Sequence, residues 1–266
     1  MSRTAYATLV TSPDYALGAL ALARSLKAVG ARAPLLVLAP RDVDGLEALA
    51  REGCRIEPVA TLPLSEAFRQ RHDRDALHRR SPFEKGEKPA FHRPLDNFCK
   101  LRLWQLTEFE RIVFLDADTL VVKNIDRLLT YPEFSAAPNL YETLADFRRL
   151  NSGVFVARPD EATFAAMLAR LDAPEAYWRR TDQTFLEHWF PDWHGLPYTY
   201  NTLQYLFFAI PELWHWPSIH VVHYQYEKPW QTDHPKAERL GPLIELWHRV
   251  LEGRGIPETL PAPAAP

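Results

Sequence analysis

The chain has 266 residues, a hydrophobic fraction of 47%, a charged fraction of 24% and a net charge of −3. These values are ordinary for a globular protein, and they give no support to nucleic-acid binding or to polybasic membrane binding. No apolar run approaches the ~20 residues that a membrane span requires, and the first residues form no long apolar leader. We therefore expect a cytoplasmic protein with one domain over residues 1–254 and a disordered Pro- and Ala-rich tail over residues 255–266.

The chain is poor in the residues that build disulfides and phosphate-binding loops. Its two cysteines, Cys54 and Cys99, lie far apart and are predicted to be buried thiols. Glycine is scarce, with ten in all, and no G-x-G-x-x-G or Walker-type loop occurs. A phosphorylated ligand would therefore need a metal ion and lysine side chains, rather than the backbone amides of a glycine loop, to neutralise its charge.

The first part of the chain alternates strand and helix patterns. The predicted elements are a strand at Ala5–Val10, a helix at Tyr15–Val29, a strand at Pro34–Leu38, a helix at Val43–Glu52 and a strand at Arg55–Val59. Strands that alternate with helices in this way are typical of an α/β fold with a parallel sheet.

The next stretch, Leu62–Asp96, loses this regularity and is dense in Arg, His and Pro. A connection of this length inside a compact domain is usually a functional loop or a disordered one. Its cations could gather a diphosphate, or the stretch could be a solvated loop with helical fragments, and the residues alone leave both interpretations open. A helix at Phe98–Leu106, which carries Lys100, leads into the next strand.

A short apolar run, Ile112–Leu115, predicts a central strand that is buried on both faces. It is followed at once by Asp116, Ala117 and Asp118. If the extended conformation continues, the i, i+2 spacing points both carboxylates to one side, where a divalent cation would relieve their repulsion. The alternative is a strand-to-turn junction in which the two Asp side chains cap backbone N–H groups, and a motif of three residues alone favours that alternative.

The second half of the chain mixes shorter elements. Strands are predicted at Leu120–Val122, at Phe134–Ala137 as an edge strand and at Val154–Val156, with a helical turn at Asn124–Leu129 and helices at Pro159–Leu171 and Thr181–Trp189. Seven of the eight Trp lie after residue 170, a density that is compatible with stacking on sugar faces but is explained at least as well by core packing.

Seven motifs follow one another between Tyr6 and Trp230. They are TLVTSPDYALGALALARSLK at residues 8–27, CKLRLW around Lys100, FLDADTLV around Asp116, NSGVFV from Asn151, DQ at residues 182–183, LPYTYN up to Asn201 and HYQYEKPW from His223. In this order they resemble the retaining sugar transferases of glycosyltransferase family 8, the group that includes glycogenin and the galactinol synthases. D-x-D alone is generic, whereas the ordered set is specific.

The resemblance implies a fold, a donor and a cofactor. The fold would be GT-A, an α/β fold with a Rossmann-like, mixed and mostly parallel sheet flanked by helices. The donor would be a UDP-sugar, with glucose or galactose as the sugar, and it would bind through a divalent metal. Mixed carboxylate and imidazole ligation suits Mn²⁺, with Mg²⁺ as the alternative.

The resemblance also implies site residues. By position, uracil and ribose would be held by Leu9, Thr11, Ser12 and Tyr15, and the metal by Asp116, Asp118 and His223, with Ala117 between the two acids. Lys228 would contact the diphosphate. Around the donor sugar would lie Lys100, Asn151, Ser152, Asp182 and Gln183, of which Lys100, Asp182 and Gln183 are the catalytic candidates.

The expected activity is transfer of a hexose, with retention, to an unidentified hydroxyl acceptor such as a saccharide or a polyol, in a protein that could form a homodimer. Phe208 stands where glycogenins carry the accepting tyrosine, so self-glycosylation is not expected. Asn139 and Arg179 replace two aspartates that glycogenins carry near the donor sugar or the acceptor. The identity of the substrate is therefore open.

Two other functions remain as alternatives. One is a catalytically silent protein that binds UDP-sugars on the same fold. The other is a sugar-phosphate nucleotidyltransferase, which also uses paired Asp residues and a metal but normally carries a glycine-rich loop near the N-terminus, and no such loop is present.

Overall fold

The fold is built from ten strands and eight α-helices among the residues that the computed structural model describes, which are 3–80, 89–231, 233 and 236–260. The strands are β1 (Thr4–Leu9), β2 (Leu35–Pro40), β3 (Arg55–Val59), β4 (Arg111–Leu115), β5 (Thr119–Val121), β6 (Ser135–Pro138), β7 (Leu150–Ala157), β8 (His194–Gly195), β9 (Thr202–Leu203) and β10 (Val221–His223). The helices are α1 (Pro13–Ala28), α2 (Glu47–Arg51), α3 (Glu66–His72), α4 (Arg74–Arg80), α5 (Glu161–Leu171), α6 (Asp182–Trp189), α7 (Leu206–Ala209) and α8 (Ala237–Leu251).

Seven strands form the main sheet, in the order β3-β2-β1-β4-β7-β6-β8. Strands β3, β2, β1 and β4 run parallel, whereas β7 is antiparallel to both β4 and β6. The predicted α/β fold with a mixed, mostly parallel sheet is confirmed. Because β1 and β4 are parallel neighbours, their carboxyl ends lie side by side. Open α/β sheets bind ligands at this edge.

A second sheet of three strands, β5-β10-β9, lies beyond the acidic end of β4. Strand β10 runs antiparallel to β5, and the register pairs His223 with Thr119. Because Thr119 follows Asp118 directly, this pairing brings His223, which lies late in the chain, next to the acidic turn.

Alternate residues of the central strands pack on opposite faces of the main sheet. In β1, Ala5, Ala7 and Leu9 belong to one apolar cluster, whereas Tyr6 belongs to another on the opposite face. Helix α1 covers the second face with residues such as Leu22, and a 3₁₀ helix over Asp96–Gln105 covers the first with Phe98, Leu101 and Trp104. Each fully buried Leu or Phe side chain contributes about 1.5–3 kcal/mol relative to an exposed one.

Several predicted bounds are wrong, for identifiable reasons. Helix α2 begins at Glu47, four residues later than predicted, and Gly45 just before it has a left-handed backbone with φ of +83°. The strand predicted as Val154–Val156 extends back to Leu150, because Asn151 and Ser152 satisfy their polar side chains inside the fold. The strand predicted as an edge, now β6, has β8 on its outer side.

Other elements escaped the sequence pattern. The stretch Leu62–Asp96 contains α3 and α4, and its residues 81–88 lie outside the described residues. The predicted helix Phe98–Leu106 is a 3₁₀ helix over Asp96–Gln105. Helix α8 follows Trp230 although its first part contains the adjacent helix breakers Gly241 and Pro242.

The tail that was predicted to be disordered is described only in part. Residues 255–260 are described, and there Ile256 and Leu260 pack against the apolar cluster around α8. Residues 261–266 lie outside the described residues.

Both cysteines were predicted to be buried thiols. Cys99 is buried and Cys54 is half-buried, and burial raises the pKa of both thiols to about 11. Within the described part of the chain, no helix has the length and apolar character that a membrane crossing needs.

Candidate active site

A pocket opens at the carboxyl ends of β1 and β4, next to the start of α6. It is lined by all of the predicted site residues except Ser12 and Lys228: Leu9, Thr11, Tyr15, Lys100, Asp116, Ala117, Asp118, Asn151, Ser152, Asp182, Gln183 and His223. Ser12 is buried at the start of α1, where its carbonyl accepts hydrogen bonds from the backbone N–H groups of Tyr15 and Ala16. Residues from six separate stretches of sequence therefore meet in one cavity.

The two aspartates converge through a turn rather than along an extended strand. The backbone N–H of Asp116 donates to the carbonyl of Gly153 at 2.8 Å, which ends the pairing of β4 with β7. The N–H of Thr119 donates back to the carbonyl of Asp116 at 3.0 Å, which closes the turn around Ala117 and Asp118. The expected convergence is present, but a turn produces it instead of the i, i+2 alternation of a strand.

His223 completes a group of three side chains that could hold a metal ion. Its Nε2 lies 3.2 Å from Oδ1 of Asp118 and 3.8 Å from Oδ2 of Asp116. One ligand atom from each of the three residues lies within 4.8 Å of the others. His223 and Asp118 are almost fully buried, and a set of two carboxylates with one imidazole fits a divalent cation such as Mn²⁺.

Lys228 lies directly behind Asp118. Its ammonium group is fully buried, donates to Oδ2 of Asp118 and donates at 2.8 Å to the carbonyl of Tyr224. Burial would raise the pKa of Asp118, but the positive charge of Lys228 is the chief opposing effect, and that pKa is held well below its usual range. Asp118 is therefore a carboxylate at neutral pH, as a metal ligand must be.

Lys100 joins the acidic turn to the start of α6. Its Nζ lies 2.8 Å from Oδ1 of Asp116 and 2.8 Å from Oδ2 of Asp182. Burial acts to lower the pKa of Lys100, but the two carboxylates outweigh it and raise that pKa, so the side chain stays charged. The pKa of Asp116 is raised by burial, and the charge of Lys100 offsets only part of that rise.

Hydrogen bonds occupy both carboxylate oxygens of Asp182. Ser152 donates its hydroxyl to Oδ2 at 2.8 Å, the same oxygen that Lys100 contacts, and Thr181 donates to Oδ1 at 2.9 Å. Thr181 has a left-handed backbone with φ of +49°, a costly conformation for a β-branched residue, and such strain tends to concentrate at functional sites.

Helix α1 approaches the acidic turn so closely that only glycine fits at the contact. A Cβ on Gly18 would lie 2.5 Å from the carbonyl oxygen of Ala117 and 2.8 Å from the ring of Trp230. Trp230 also lies with its ring 6.1 Å from that of Tyr15. The segment from His223 to Trp230 is thus packed against α1 and the turn.

The pocket also contains residues that were not predicted as site residues. They are Arg74, Leu77, His92, Pro94, Asn97, Tyr141, Arg179, Arg180, Thr181, Gln225 and Tyr226. Arg74 and His92 come from the polar stretch Leu62–Asp96, which favours its interpretation as a functional loop, and that stretch was their only signal. Arg179 had been noted only as a departure from glycogenin. Tyr141 carried no sequence signal, whereas Tyr226, whose ring lies 5.7 Å from that of Tyr141, belongs to the motif HYQYEKPW.

Comparisons with known proteins identify a family for this chain. The family described as Glycosyl transferase family 8 matches residues 7–234. The chain is 32% identical over 246 residues to UDP-glucuronate:xylan alpha-glucuronosyltransferase 1 of Arabidopsis thaliana, a match that covers 86% of this chain and 32% of that protein. It is 29% identical over 255 residues to Glycogenin-1 of Caenorhabditis elegans, covering 92% of this chain and 54% of that protein. The chain spans about a third of the length of the xylan glucuronosyltransferase that it matches.

Among solved structures, the chain is similar to the galactosyltransferase LgtC, which was determined in complex with donor and acceptor sugar analogues. The TM-score is 0.63 at 15% sequence identity, and the match covers 95% of this chain and 98% of that one. A likeness at this identity shows the fold, which is the GT-A fold of glycosyltransferases. Together with the family match over most of the chain, it leads to one conclusion: the chain belongs to glycosyltransferase family 8.

Proposed function

We propose that this chain is a metal-dependent glycosyltransferase that moves a sugar from a UDP-sugar to a hydroxyl group of a saccharide, with retention of configuration. The observation that carries the proposal is the convergence of Asp116, Asp118 and His223 within 4.8 Å of one another, in a pocket that also contains the Lys100–Asp182 pair. The sequence alone left the acidic motif open to interpretation as a simple turn. Burial of the Asp118 carboxylate together with the imidazole of His223, beside the partly buried Asp116, favours the metal-site interpretation.

The chain's own residues would hold the donor by its charged end. Asp116, Asp118 and His223 would bind a divalent cation, with Mn²⁺ preferred and Mg²⁺ as the alternative, and that cation would stabilise the negative charge of the departing UDP. The ammonium group of Lys228 lies beside Asp118, so it would add positive charge at the diphosphate. Leu9, Thr11 and Tyr15 line the pocket at the end of β1, where they would hold the uridine.

The hydrogen bonds of Asp182 indicate whether its carboxylate attacks the donor sugar as a nucleophile or only orients it. Both of its oxygens already accept hydrogen bonds, so the carboxylate is a poorly suited nucleophile and well placed to orient the donor sugar. This favours transfer on one face of the sugar. The bond from the anomeric carbon to the UDP oxygen breaks, the bond to the acceptor oxygen forms on the same face, and the acceptor proton passes to the departing phosphate oxygen. Gln183, the next residue of α6, lines the same pocket.

The sugar carried by UDP is proposed to be a hexuronate. Arg179 and Arg180 both line the pocket immediately before Asp182, and Arg179 stands where glycogenins carry an aspartate. A guanidinium group matches a carboxylate through two parallel hydrogen bonds, whereas an aspartate would repel it. UDP-glucuronate is also the donor that the name of the Arabidopsis xylan glucuronosyltransferase gives for that relative. We therefore place UDP-glucuronate ahead of the glucose and galactose donors expected from the resemblance.

The acceptor would enter beside two neighbouring aromatic rings, whose planes are tilted by 48°. Tyr141 and Tyr226 line the pocket, and such rings pack well on the apolar C–H faces of sugars. Tyr226 has a left-handed backbone with φ of +67°, an uncommon conformation for a residue other than glycine and one that tends to cluster at functional sites.

The test is a panel of UDP-glucuronate, UDP-glucose, UDP-galactose and UDP-N-acetylglucosamine, each incubated with the protein and Mn²⁺ or with EDTA. We expect release of UDP that requires Mn²⁺, is fastest with UDP-glucuronate and increases when xylo-oligosaccharides are added. Binding of UDP-sugars without release of UDP would identify a catalytically silent binder instead. Equal release in the presence of EDTA would contradict the metal dependence.

A further inference from the structure

Behind His223, on the ring edge that faces away from Asp118, a line of buried amide side chains leads into the fold. Nδ1 of His223 lies 2.9 Å from Oδ1 of Asn201, and Nδ2 of Asn201 donates to Oδ1 of Asn151 at 2.8 Å. Nδ2 of Asn151 donates in turn to Oδ1 of Asn139 at 2.9 Å. All four side chains are 1% exposed or less, so water cannot replace any of these contacts.

The backbone N–H of Gly153 fixes which group donates and which accepts in each of these hydrogen bonds. The N–H of Gly153 donates to Oδ1 of Asn151 at 2.9 Å, and a backbone N–H can only donate. Asn151 must therefore present its oxygen on that side, and the same oxygen must accept from Asn201. Because Asn201 uses its amide NH₂ toward Asn151, it presents its oxygen to His223. An oxygen at 2.9 Å from a ring nitrogen requires a hydrogen on that nitrogen.

We propose that Asn151 and Asn201 are positioning residues of the metal site, which hold the proton of His223 on Nδ1 and so leave the lone pair of Nε2 facing Asp116 and Asp118. A ligating histidine can offer Nε2 to a metal only in this tautomer, and the partner of the other nitrogen is what sets it. The inference rests on the proposed metal-dependent function. It gives Asn151, which also lines the pocket, a structural task that is separate from contact with the donor sugar.

Gly153 has a second part in the same arrangement. A Cβ at this position would lie 2.4 Å from Cε1 of His223 and 2.9 Å from Oδ1 of Asn151, distances that real Cβ atoms do not show. The imidazole ring thus lies close against the backbone of β7 at Gly153, and its rotation is limited there by the strand and on its Nδ1 edge by Asn201. Asn151 and Gly153, two positions apart in β7, act together, one by hydrogen bonding and one by its lack of a side chain.

The first measurement is the Mn²⁺ dissociation constant, obtained from the electron paramagnetic resonance signal of free Mn²⁺, with no donor present. Asn201→Leu keeps the side-chain size but removes the acceptor, and we expect it to weaken Mn²⁺ binding by about 10- to 100-fold. Asn151→Asp is the matched control, because it keeps the oxygen that accepts from Gly153 and Asn201. Asn139, whose Nδ2 has no partner among the described residues, can rotate to donate to that aspartate, so Mn²⁺ should bind at least as tightly as in the wild type.

The second measurement reads the tautomer directly. Long-range ¹H–¹⁵N correlation spectra of histidine-labelled protein, recorded without metal at a pH where the ring is neutral, should show the proton of His223 on Nδ1 in the wild type and on Nε2, or on both in exchange, in Asn201→Leu. His223→Gln identifies the signal. If Asn201→Leu does not fold, Asn151→Leu removes the oxygen one step further away and should give the same change.

Unchanged Mn²⁺ affinity in folded Asn201→Leu, or a wild-type His223 with its proton on Nε2, would overturn the inference. A structural role alone would lower the melting temperature without changing the tautomer or the affinity of the folded protein. Failure of the wild type to bind Mn²⁺ would contradict the proposed function instead. The tautomer of the metal-free ring would still show whether Asn201 holds the proton of His223 on Nδ1.

Discussion

Lys100 and Asp182, 82 positions apart in sequence, form a 2.8 Å hydrogen-bonded ion pair in which both side chains are almost fully buried. Lys100 also contacts Asp116, so one ammonium group neutralises two carboxylates from different elements. Lys100 lies on the 3₁₀ helix before β4, and Asp182 is the first residue of α6. The pair therefore fixes the start of α6 relative to the acidic turn.

Replacement of Lys100 should lower stability strongly. In Lys100→Met, Asp116 and Asp182 lose their shared cation, and removal of one partner of a buried ion pair costs about 3–5 kcal/mol because a buried charge is left uncompensated. Urea denaturation of metal-free protein measures this loss. Lys27→Met is the control, since Lys27 is exposed beside Glu52 and its replacement should change the free energy of unfolding by less than about 0.5 kcal/mol. Similar small losses in both variants would contradict the buried-pair account.

A second buried acid predicts a pH dependence of stability. Glu227 accepts hydrogen bonds from Lys236 at 2.7 Å and from Tyr205 at 2.5 Å. Burial would raise the pKa of Glu227, but these two partners outweigh burial and lower it. A carboxyl whose pKa is lower in the folded state than in the unfolded chain stabilises the fold above the unfolded pKa, and this contribution is lost as the pH falls through the folded pKa.

Glu227→Gln should therefore be less stable than the wild type at pH 7, and the difference should shrink as the pH falls below about 4. Free energies of unfolding measured between pH 7 and pH 3 test this expectation. Glu47→Gln, a change at an exposed residue of α2, serves as the control and should follow the wild-type curve. A constant difference between Glu227→Gln and the wild type across this range would show that the loss is one of packing rather than of charge.

Self-glycosylation should not occur. Phe208, at the position of the accepting tyrosine of glycogenins, has no hydroxyl group, and the nearby Tyr205 is 1% exposed with its hydroxyl hydrogen-bonded to Glu227 and Lys236. Intact mass spectrometry after incubation with UDP-glucuronate or UDP-glucose and Mn²⁺ should show an unchanged mass. Added sugars that map to residues 205–208 would contradict this prediction.

The proposed donor depends on the arginines before α6. Arg179→Asp restores the residue type found in glycogenins and replaces an attractive charge with a repulsive one. We expect kcat/KM for UDP-glucuronate to fall by about 10- to 100-fold, the effect of losing one charge-assisted hydrogen bond, with a smaller change for UDP-glucose. Arg158→Asp is the matched control, because Arg158 is exposed at the end of β7 and does not line the pocket. Equal losses for the two donors would remove the support for a hexuronate.

The sequence predicted the central strand and the acidic motif well, because both are local patterns. Ile112–Leu115 is an unbroken apolar run, and Asp116 and Asp118 follow it directly. His223 was different, since only the resemblance identified it. Its place beside Asp118 depends on the antiparallel pairing of β10 with β5, two strands of three residues each, and strands that short carry almost no periodic signal.

Other features could not be predicted because the deciding contacts are long-range. Asn151 and Ser152 look like loop residues in sequence, but they lie inside β7 because Asn139, Asn201 and Asp182 satisfy their side chains. The contact of Lys228 with Asp118 spans 110 positions, and sequence analysis had assigned this lysine to the diphosphate alone. That assignment stays a prediction.

The central claim is that Asp116, Asp118 and His223 hold the divalent cation on which sugar transfer depends. The most direct measurement is the Mn²⁺-dependent rate of UDP release from a UDP-sugar by Asp118→Asn, compared with the wild type and with Asp42→Asn, a change at an exposed aspartate outside the pocket. We predict that Asp118→Asn folds, as judged by circular dichroism, and releases UDP about 10²- to 10³-fold more slowly, while Asp42→Asn matches the wild type. Turnover by Asp118→Asn at the wild-type rate with saturating Mn²⁺ would contradict the account.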